Sequence, residues 1–370
     1  MLLIHMLRPL AVVAALAATA PVVAAAQAPA TPQRVRALLG ALANDSMAGR
    51  ATGTPGAAKA ARFIAGVMAQ AGIAPAGDSG FFQRVAVAKD SVAVPQRRRV
   101  SDGVDSAGKP RFRFETVDGP PVWRTTFKVL PTLADLDTVP PVRRVPAVNV
   151  VGIIHGSDPA VAAEYVLIDA HYDHLGIGAS VNGDSIYNGA DDDASGTVAV
   201  LEIARQMAAG PKPRRTVVFM ATIGEERGLL GTRWYISHPV IPLDRMAANL
   251  EIEMIARPDS LAGGSGRAWL TGYERSTMGD ELAAAGVPIG PDRRPEQNFF
   301  QRSDNIAFAR AGIPAHTLST FNLHTDYHQP SDDVDKVDFD HMAAVINAAT
   351  RAARLLSDGP KPQWKPGGKP

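Results

Sequence analysis

The chain predicts an α/β fold: a mostly parallel mixed sheet flanked by helices on both faces. Two observations carry this. Short apolar runs of strand length alternate with longer segments whose apolar residues recur at helical spacing. Many polar outliers sit at the ends of those runs, and ligands bind outside the carboxyl ends of the strands in sheets of this kind.

In chain order, residues 31–43 and 55–71 read as helices. In the second, Ala58, Ala61, Phe63, Ile64, Val67 and Met68 keep helical spacing, and Gly72 supplies a stop. A loop containing Gly and Thr, 44–54, joins them, and a strand begins in 81–87. Segment 90–146 differs, being rich in Pro, Arg and Asp with a broken apolar pattern. It reads as an insertion of short strands and loops, either a small subdomain or a mobile surface excursion. From residue 147 the pattern is regular. Strands are expected at 147–154, 165–170, 216–221, 248–255 and 315–318. Helices are expected at 196–209, 229–237, 276–285, 303–311 and 339–356. Segment 165–170 is the kind of short apolar run that is buried on both faces of a sheet. The Pro/Gly/Lys segment 359–370 reads as a disordered tail.

Residues 1–26 stand apart from this fold. One Arg precedes an uncharged, Ala-rich apolar stretch, and Ala24-Ala25-Ala26 offers a small-residue cleavage site before Gln27. The expectation is a removed signal peptide and an exported protein, periplasmic or secreted. An uncleaved anchor helix is the alternative, although the apolar stretch is short for a membrane span. One large domain, 27–358, then carries the function. The 38 basic and 37 acidic side chains nearly cancel, which gives no reason to expect a nucleic acid or an anionic membrane as partner. Because the chain has no cysteine, any metal site must be built from His, Asp and Glu.

Five motifs carry chemistry. His171-Tyr172-Asp173-His174 follows the run YVLIDA. A His at a strand end can bind a metal through one ring nitrogen while a nearby carboxylate holds the other. Asp191-Asp192-Asp193 lies in a Gly-flanked turn that opens a helix. One acid would satisfy the helix N-terminus, so three in a row imply that at least one faces a cation. Glu225-Glu226 follows the run TVVFMA, where one acid can bind metal and its neighbour can take a proton from water. Glu251 and Glu253 sit in an apolar strand, which is expensive unless they are paired or metal-bound. His324 and His328 belong to a His-rich loop before the last helix. Each motif alone is modest, but their joint order is distinctive. No G-x-S-x-G nucleophile turn is present, which disfavours a serine hydrolase.

With these motifs the chain resembles the secreted di-zinc aminopeptidases, relatives of the glutamate carboxypeptidases and glutaminyl cyclases. The likeness runs over most of the chain after residue 26. It rests on an opening segment at Asp45–Arg50 with Thr52-Gly53-Thr54-Pro55-Gly56, and on HYDHLG, NGADDDASG, IGEERGLLG, RSDN and DYHQPSDDVDK. It implies a zinc exopeptidase fold and a metallo-aminopeptidase acting on peptides with two Zn2+ per chain. It further implies His171, Asp192, Glu226, Glu253 and His328 as metal ligands, with Asp192 bridging. Glu225 would be the general base and Asp173 the acid behind His171. Glu253 falls where the family often has Asp, and Glu251 is the fallback ligand. Asn305 stands where many relatives have His. Asp191 and Asp193 are expected to hold the loop, Ser303 and Asp304 to cap a helix, and Asp332, Asp333 and Lys336 to order the loop of His328. His174 and His324 are candidates to touch substrate. His155, His238, His316 and His341 are left as structure. Segments 261–266 and 291–300 are candidates to line the substrate pocket. Carboxypeptidase, dipeptidase, single-zinc glutaminyl cyclase and a non-catalytic binding module remain as alternatives.

Overall fold

The computed structural model describes residues 28–104 and 110–370, so the expected signal segment lies outside the described residues. Among the described residues, nine strands form the main sheet. They are β1 (Ala74–Pro75), β2 (Phe82–Arg84), β3 (Val148–Ile154), β4 (Tyr165–His171), β5 (Thr216–Thr222), β6 (Met246–Glu253), β7 (Ala268–Leu270), β8 (Ile289–Pro291) and β9 (Ala315–Ser319). Their order is β1-β3-β5-β4-β6-β9-β7-β8, with β2 also paired to β3. The central run β5-β4-β6-β9 is parallel throughout, whereas β3 and β7 join it antiparallel.

The helices are α1 (Pro32–Leu42), α2 (Pro55–Gln70), α3 (Gly196–Ala209), α4 (Leu230–Ser237), α5 (Met278–Ala284), α6 (Asn305–Arg310) and α7 (Phe339–Asp358). The first two start in the same way. A Thr side chain, Thr31 or Thr54, accepts a backbone N–H of the first turn, and Pro takes the first helical position. Alternation along the strands divides the core. Val166, Ile168 and Ala170 of β4, with Val217, Phe219 and Ala221 of β5, face α1, α2, α3 and α7. Tyr165, Leu167, Val218 and Met220 face Tyr235 of α4 and Phe308 of α6 on the other side. Helix α3 lies between the sheet and α7, so its Leu201 and Ile203 are buried. Cutting either back to Ala costs about 2–5 kcal/mol.

Two regions depart from expectation. Segment 359–370, read as a disordered tail, is packed. Trp364 donates its indole N–H to the Gly312 carbonyl at 2.9 Å, and the segment's backbone bonds to Arg275 and Thr277. Composition alone misses this because one aromatic anchor and a few backbone bonds outweigh a polar, Pro/Gly-rich context. The segment expected as an insertion begins inside a strand. Val87–Val94 pairs along its whole length with Val122–Val129 and briefly with Arg144–Val145, while Arg97–Val104 and Pro110–Thr116 form a separate two-stranded ribbon.

Candidate metal centre

The chemistry gathers at the carboxyl rim of β4, β5 and β6. His171 is the last residue of β4 and is fully buried. Its Nδ1 faces the backbone carbonyl of Asp173 at 3.1 Å, and the Asp173 carboxylate is 3.8 Å away. The carboxylate expected behind this ring is therefore engaged elsewhere. Its Oδ1 accepts the N–H groups of Gly224 at 2.7 Å and Glu225 at 3.2 Å, and its Oδ2 accepts the Thr52 hydroxyl at 2.8 Å. Asp173 thus fixes the turn after β5, where Gly224 (φ 82°) and Gly228 (φ 95°) reverse the chain and present Glu225 and Glu226. Burial pushes the Asp173 carboxyl up to about 6, against the pull of His171.

Asp192 lies in the turn Ala190–Ser195 ahead of α3. Asp332 organises this turn by accepting the N–H groups of Asp191 and Asp192 at 3.0–3.1 Å. The two neighbouring aspartates act as fasteners. Asp193 accepts the N–H groups of Gly196 and Met254, while Asp191 accepts that of Ala256 and faces His324 Nε2 at 2.9 Å. Only Asp192 of the three points at the rim. His171 Nε2 is 3.3 Å from its Oδ1, and His328 Nε2 is 3.1 Å from its Oδ2. Burial would raise the Asp192 carboxyl, but His174, His171 and His328 outweigh burial and hold it well below the usual range.

Glu253 ends β6, and its acid lies with His171 and Asp192 so that one ligand atom from each falls within 4.8 Å of the others. A second group of the same kind comprises His174, Asp192 and Glu226. His328, on a loop at φ 57° and stacked on Tyr327, is also 3.5 Å from Glu226 Oε2. The five expected ligands therefore meet, and His174 joins them. The fit to a cation is visible in the orphaned atoms. His171 Nε2, both His174 nitrogens and Glu226 Oε1 are buried without a hydrogen-bond partner, which is rare unless something else is bound. Imidazoles and carboxylates with no thiolate suit zinc in an N/O site.

Glu251, the fallback ligand, is absent from both groups. It accepts the Ser303 hydroxyl, the Thr317 hydroxyl at 2.6 Å, and the N–H groups of Asp304 and Asn305 at 3.0 and 3.1 Å. It thereby caps α6 from the neighbouring strand. Asp304 makes no such cap and instead accepts the hydroxyls of Thr222 and Thr232, both at 2.6 Å. Asn305 uses its side chain on the Phe300 carbonyl.

A cleft beside these groups is lined by Asp192, Glu225, Glu253 and His328 together with Trp269, Phe299, Arg302, Phe321 and Tyr327. Of the segments expected to line it, 261–266 does not reach it and 291–300 contributes only Phe299. Trp269 comes from β7, a three-residue strand too short to read from sequence. Arg50, also missed as a site residue, lies fully buried under the aspartate turn, where it donates to four carbonyls.

Among solved structures, the chain is similar to an aminopeptidase from Aneurinibacillus sp. strain AM-1. The TM-score is 0.60 at 16% identity, over 90% of this chain and 95% of that one. It is similar also to BSAP, a zinc aminopeptidase from Bacillus subtilis (TM-score 0.57, 16% identity, 90% and 96% covered). A glutaminyl cyclase from Porphyromonas gingivalis has the same fold (TM-score 0.55, 14% identity, 88% and 98% covered). At these identities the likeness is one of fold. A vacuolar membrane protease from Tuber melanosporum is 34% identical over 199 residues, which are 48% of this chain and 19% of that protein. The chain thus spans about a fifth of the length of the curated relatives it matches. The model of Peptidase family M28 matches residues 149–353, which contain all the candidate ligands and Glu225, and the chain belongs to that family.

Proposed function

We propose that the protein is a two-zinc exopeptidase that removes N-terminal residues from peptides. The observation that carries this is the pair of metal-competent groups sharing Asp192, with Glu225 in the same cleft. His171 and Glu253 would hold one ion and Glu226 and His328 the other, with Asp192 common to both. Zinc bound there supplies Lewis acidity toward the scissile carbonyl and lowers the pKa of a water beside it.

The remaining work belongs to the chain. Burial pushes the Glu225 carboxyl well above the usual range, and Glu253, Asp304 and Glu226 add to this against the pull of His171. A carboxylate of that kind takes a proton from the attacking water and returns it to the leaving amine. Asp173 holds the Glu225 backbone while it does so. Trp269, Phe299 and Phe321 offer an apolar wall to the terminal side chain. The choice of an aminopeptidase over a carboxypeptidase draws on the fold shared with the aminopeptidases from Aneurinibacillus and Bacillus subtilis.

The test is hydrolysis of free and N-blocked peptides before chelation, after chelation and after zinc is restored. Metal-dependent release from free amino termini supports the reading. Activity on blocked peptides with a free carboxylate would move it to carboxypeptidase. Cyclisation of N-terminal glutamine with one zinc per chain would replace it by a cyclase. Export rests on residues 1–26 alone, and sequencing the mature N-terminus, expected at Gln27, tests it.

A further inference from the structure

Among the described residues, His174 is the one fully buried histidine at the rim to which the two-zinc reading gives no task. It follows β4 by three residues, its side chain is fully buried, and neither ring nitrogen has a hydrogen-bond partner. Buried polar atoms nearly always find partners, so a ring with two orphans marks a place where something else binds. Its Nδ1 lies 2.8 Å from Glu226 Oε1 and 3.8 Å from Asp192 Oδ2. The contact with Glu226 is short enough for a hydrogen bond but too poorly aligned to be one, and Glu226 Oε1 is itself unpartnered. Two groups that approach closely without aiming at each other fit a shared third point. One ligand atom from each of His174, Asp192 and Glu226 lies within 4.8 Å of the others, close enough to surround a single ion.

His328 reaches the same two carboxylates, 3.1 Å from Asp192 Oδ2 and 3.5 Å from Glu226 Oε2. The two imidazoles meet edge to face, with centroids 5.7 Å apart. They differ in how they are held. The His174 ring is enclosed against Gly189, where any side chain would collide with it. The side chain of His328 is one-third exposed and sits on a loop.

We propose that the second zinc is held by four side chains, His174, Asp192, Glu226 and His328, with the enclosed His174 anchoring it. This rests on the two-ion reading above. Four protein ligands close a tetrahedral site, so the open position needed for substrate falls to the ion of His171 and Glu253. The two ions then divide into one that organises the rim and one that meets the substrate.

The test uses the full chain labelled with 15N-histidine and loaded with 113Cd in place of zinc. Two cadmium signals are expected, one split by a single nitrogen and the other by two. Replacement of His174 by Asn should weaken the second equivalent of zinc by at least about tenfold in chelator competition and leave the first equivalent in place. Two signals each split by one nitrogen would overturn the proposal, as would an unchanged second affinity in H174N. A single bound cadmium in the unsubstituted chain would remove the two-ion reading itself, and the proposal with it. The splitting is read without any substitution, so a variant that fails to fold does not spoil the test.

Discussion

Arg50 offers the sharpest test of how this rim is held together. Its guanidinium donates to the carbonyls of Tyr172 at 2.8 Å, Leu42 at 3.0 Å, Asn188 at 2.6 Å and Gly189 at 2.9 Å. It therefore joins the end of α1, the exit of β4 and the entrance to the aspartate turn. Burial lowers it to about 10, while Asp173, Asp332, Asp192 and Asp193 pull the other way, so it remains a cation at neutral pH. Replacement by Ala removes all four donors. Gly189 keeps a second one, the Ala194 N–H at 3.2 Å. The other three carbonyls lose their partner, and a buried unsatisfied acceptor costs about 1–3 kcal/mol. Water entering the space left by the side chain brings the expected total to the lower end, about 3–5 kcal/mol. For a domain of about 330 residues that is a fall in Tm of roughly 4–7 °C. Arg50→Lys retains the charge but loses the planar fork, so its Tm should fall between the two. Calorimetry on the metal-free chain reads the effect without the contribution of bound zinc. A Tm for R50A within about 1 °C of the parent, against the roughly 4 °C minimum expected, would refute the reasoning. Equal values for R50K and R50A would show that charge contributes nothing.

Four further predictions follow from the same geometry. Glu225→Gln should lower turnover by roughly 10²–10⁴-fold while both zinc ions stay bound, as read by steady-state kinetics beside metal analysis; retained activity would remove its role as base. Chelation should lower Tm, and zinc at about a thousandfold over its Kd should restore about 4 kcal/mol per site; a Tm indifferent to zinc would argue against a built metal centre. Asp173→Asn should lower kcat per folded, zinc-loaded molecule, because the amide replaces a charged acceptor beneath Glu225, and a fall that only tracks the loss of folded protein in a melting curve would point to a general loss of fold. His316 is buried, with Nε2 2.7 Å from Ser276 Oγ and Nδ1 2.7 Å from the Thr271 carbonyl, and burial lowers it to about 4. Between about 6.5 and 4 the unfolded chain takes a proton that the folded chain refuses. Stability should therefore decline as pH falls through that window, by on the order of 3 kcal/mol, and level off below it. Melting curves of His316→Gln against pH should be flatter there.

Much of the architecture was legible because the central strands are uniformly apolar and α3 and α7 keep their helical spacing. The strands β7 and β8 were not, since three residues carry no period and both owe their place to pairing with distant partners. The candidate groups and their order were legible because acids at apolar strand ends demand an explanation. What sequence could not supply was direction. His171 and His174 flank the same Asp, and nothing in HYDH says that the second imidazole turns back to meet Glu226. The choice between Glu251 and Glu253 is similar. Alternation puts both on one side of β6, and they are told apart only by hydroxyl and N–H donors from α6 and β9, which are remote in sequence. Arg50 stood inside a quoted motif, but its four acceptors come from three separate parts of the chain.

That last strand has a consequence for how such a centre can change over evolutionary time. β6 carries two glutamates about 6.6 Å apart along the backbone, one proposed as a metal ligand and one already engaged by hydroxyl and amide donors. Under the proposed assignment the acid at 251 is the unused one, kept in place by Ser303 and Thr317. Drift at those two hydroxyls, with both glutamates untouched, would loosen it and let the centre move by one pleat. The address of the proposed metal would therefore be written as much in the neighbours that occupy the unused acid as in the acid that is used.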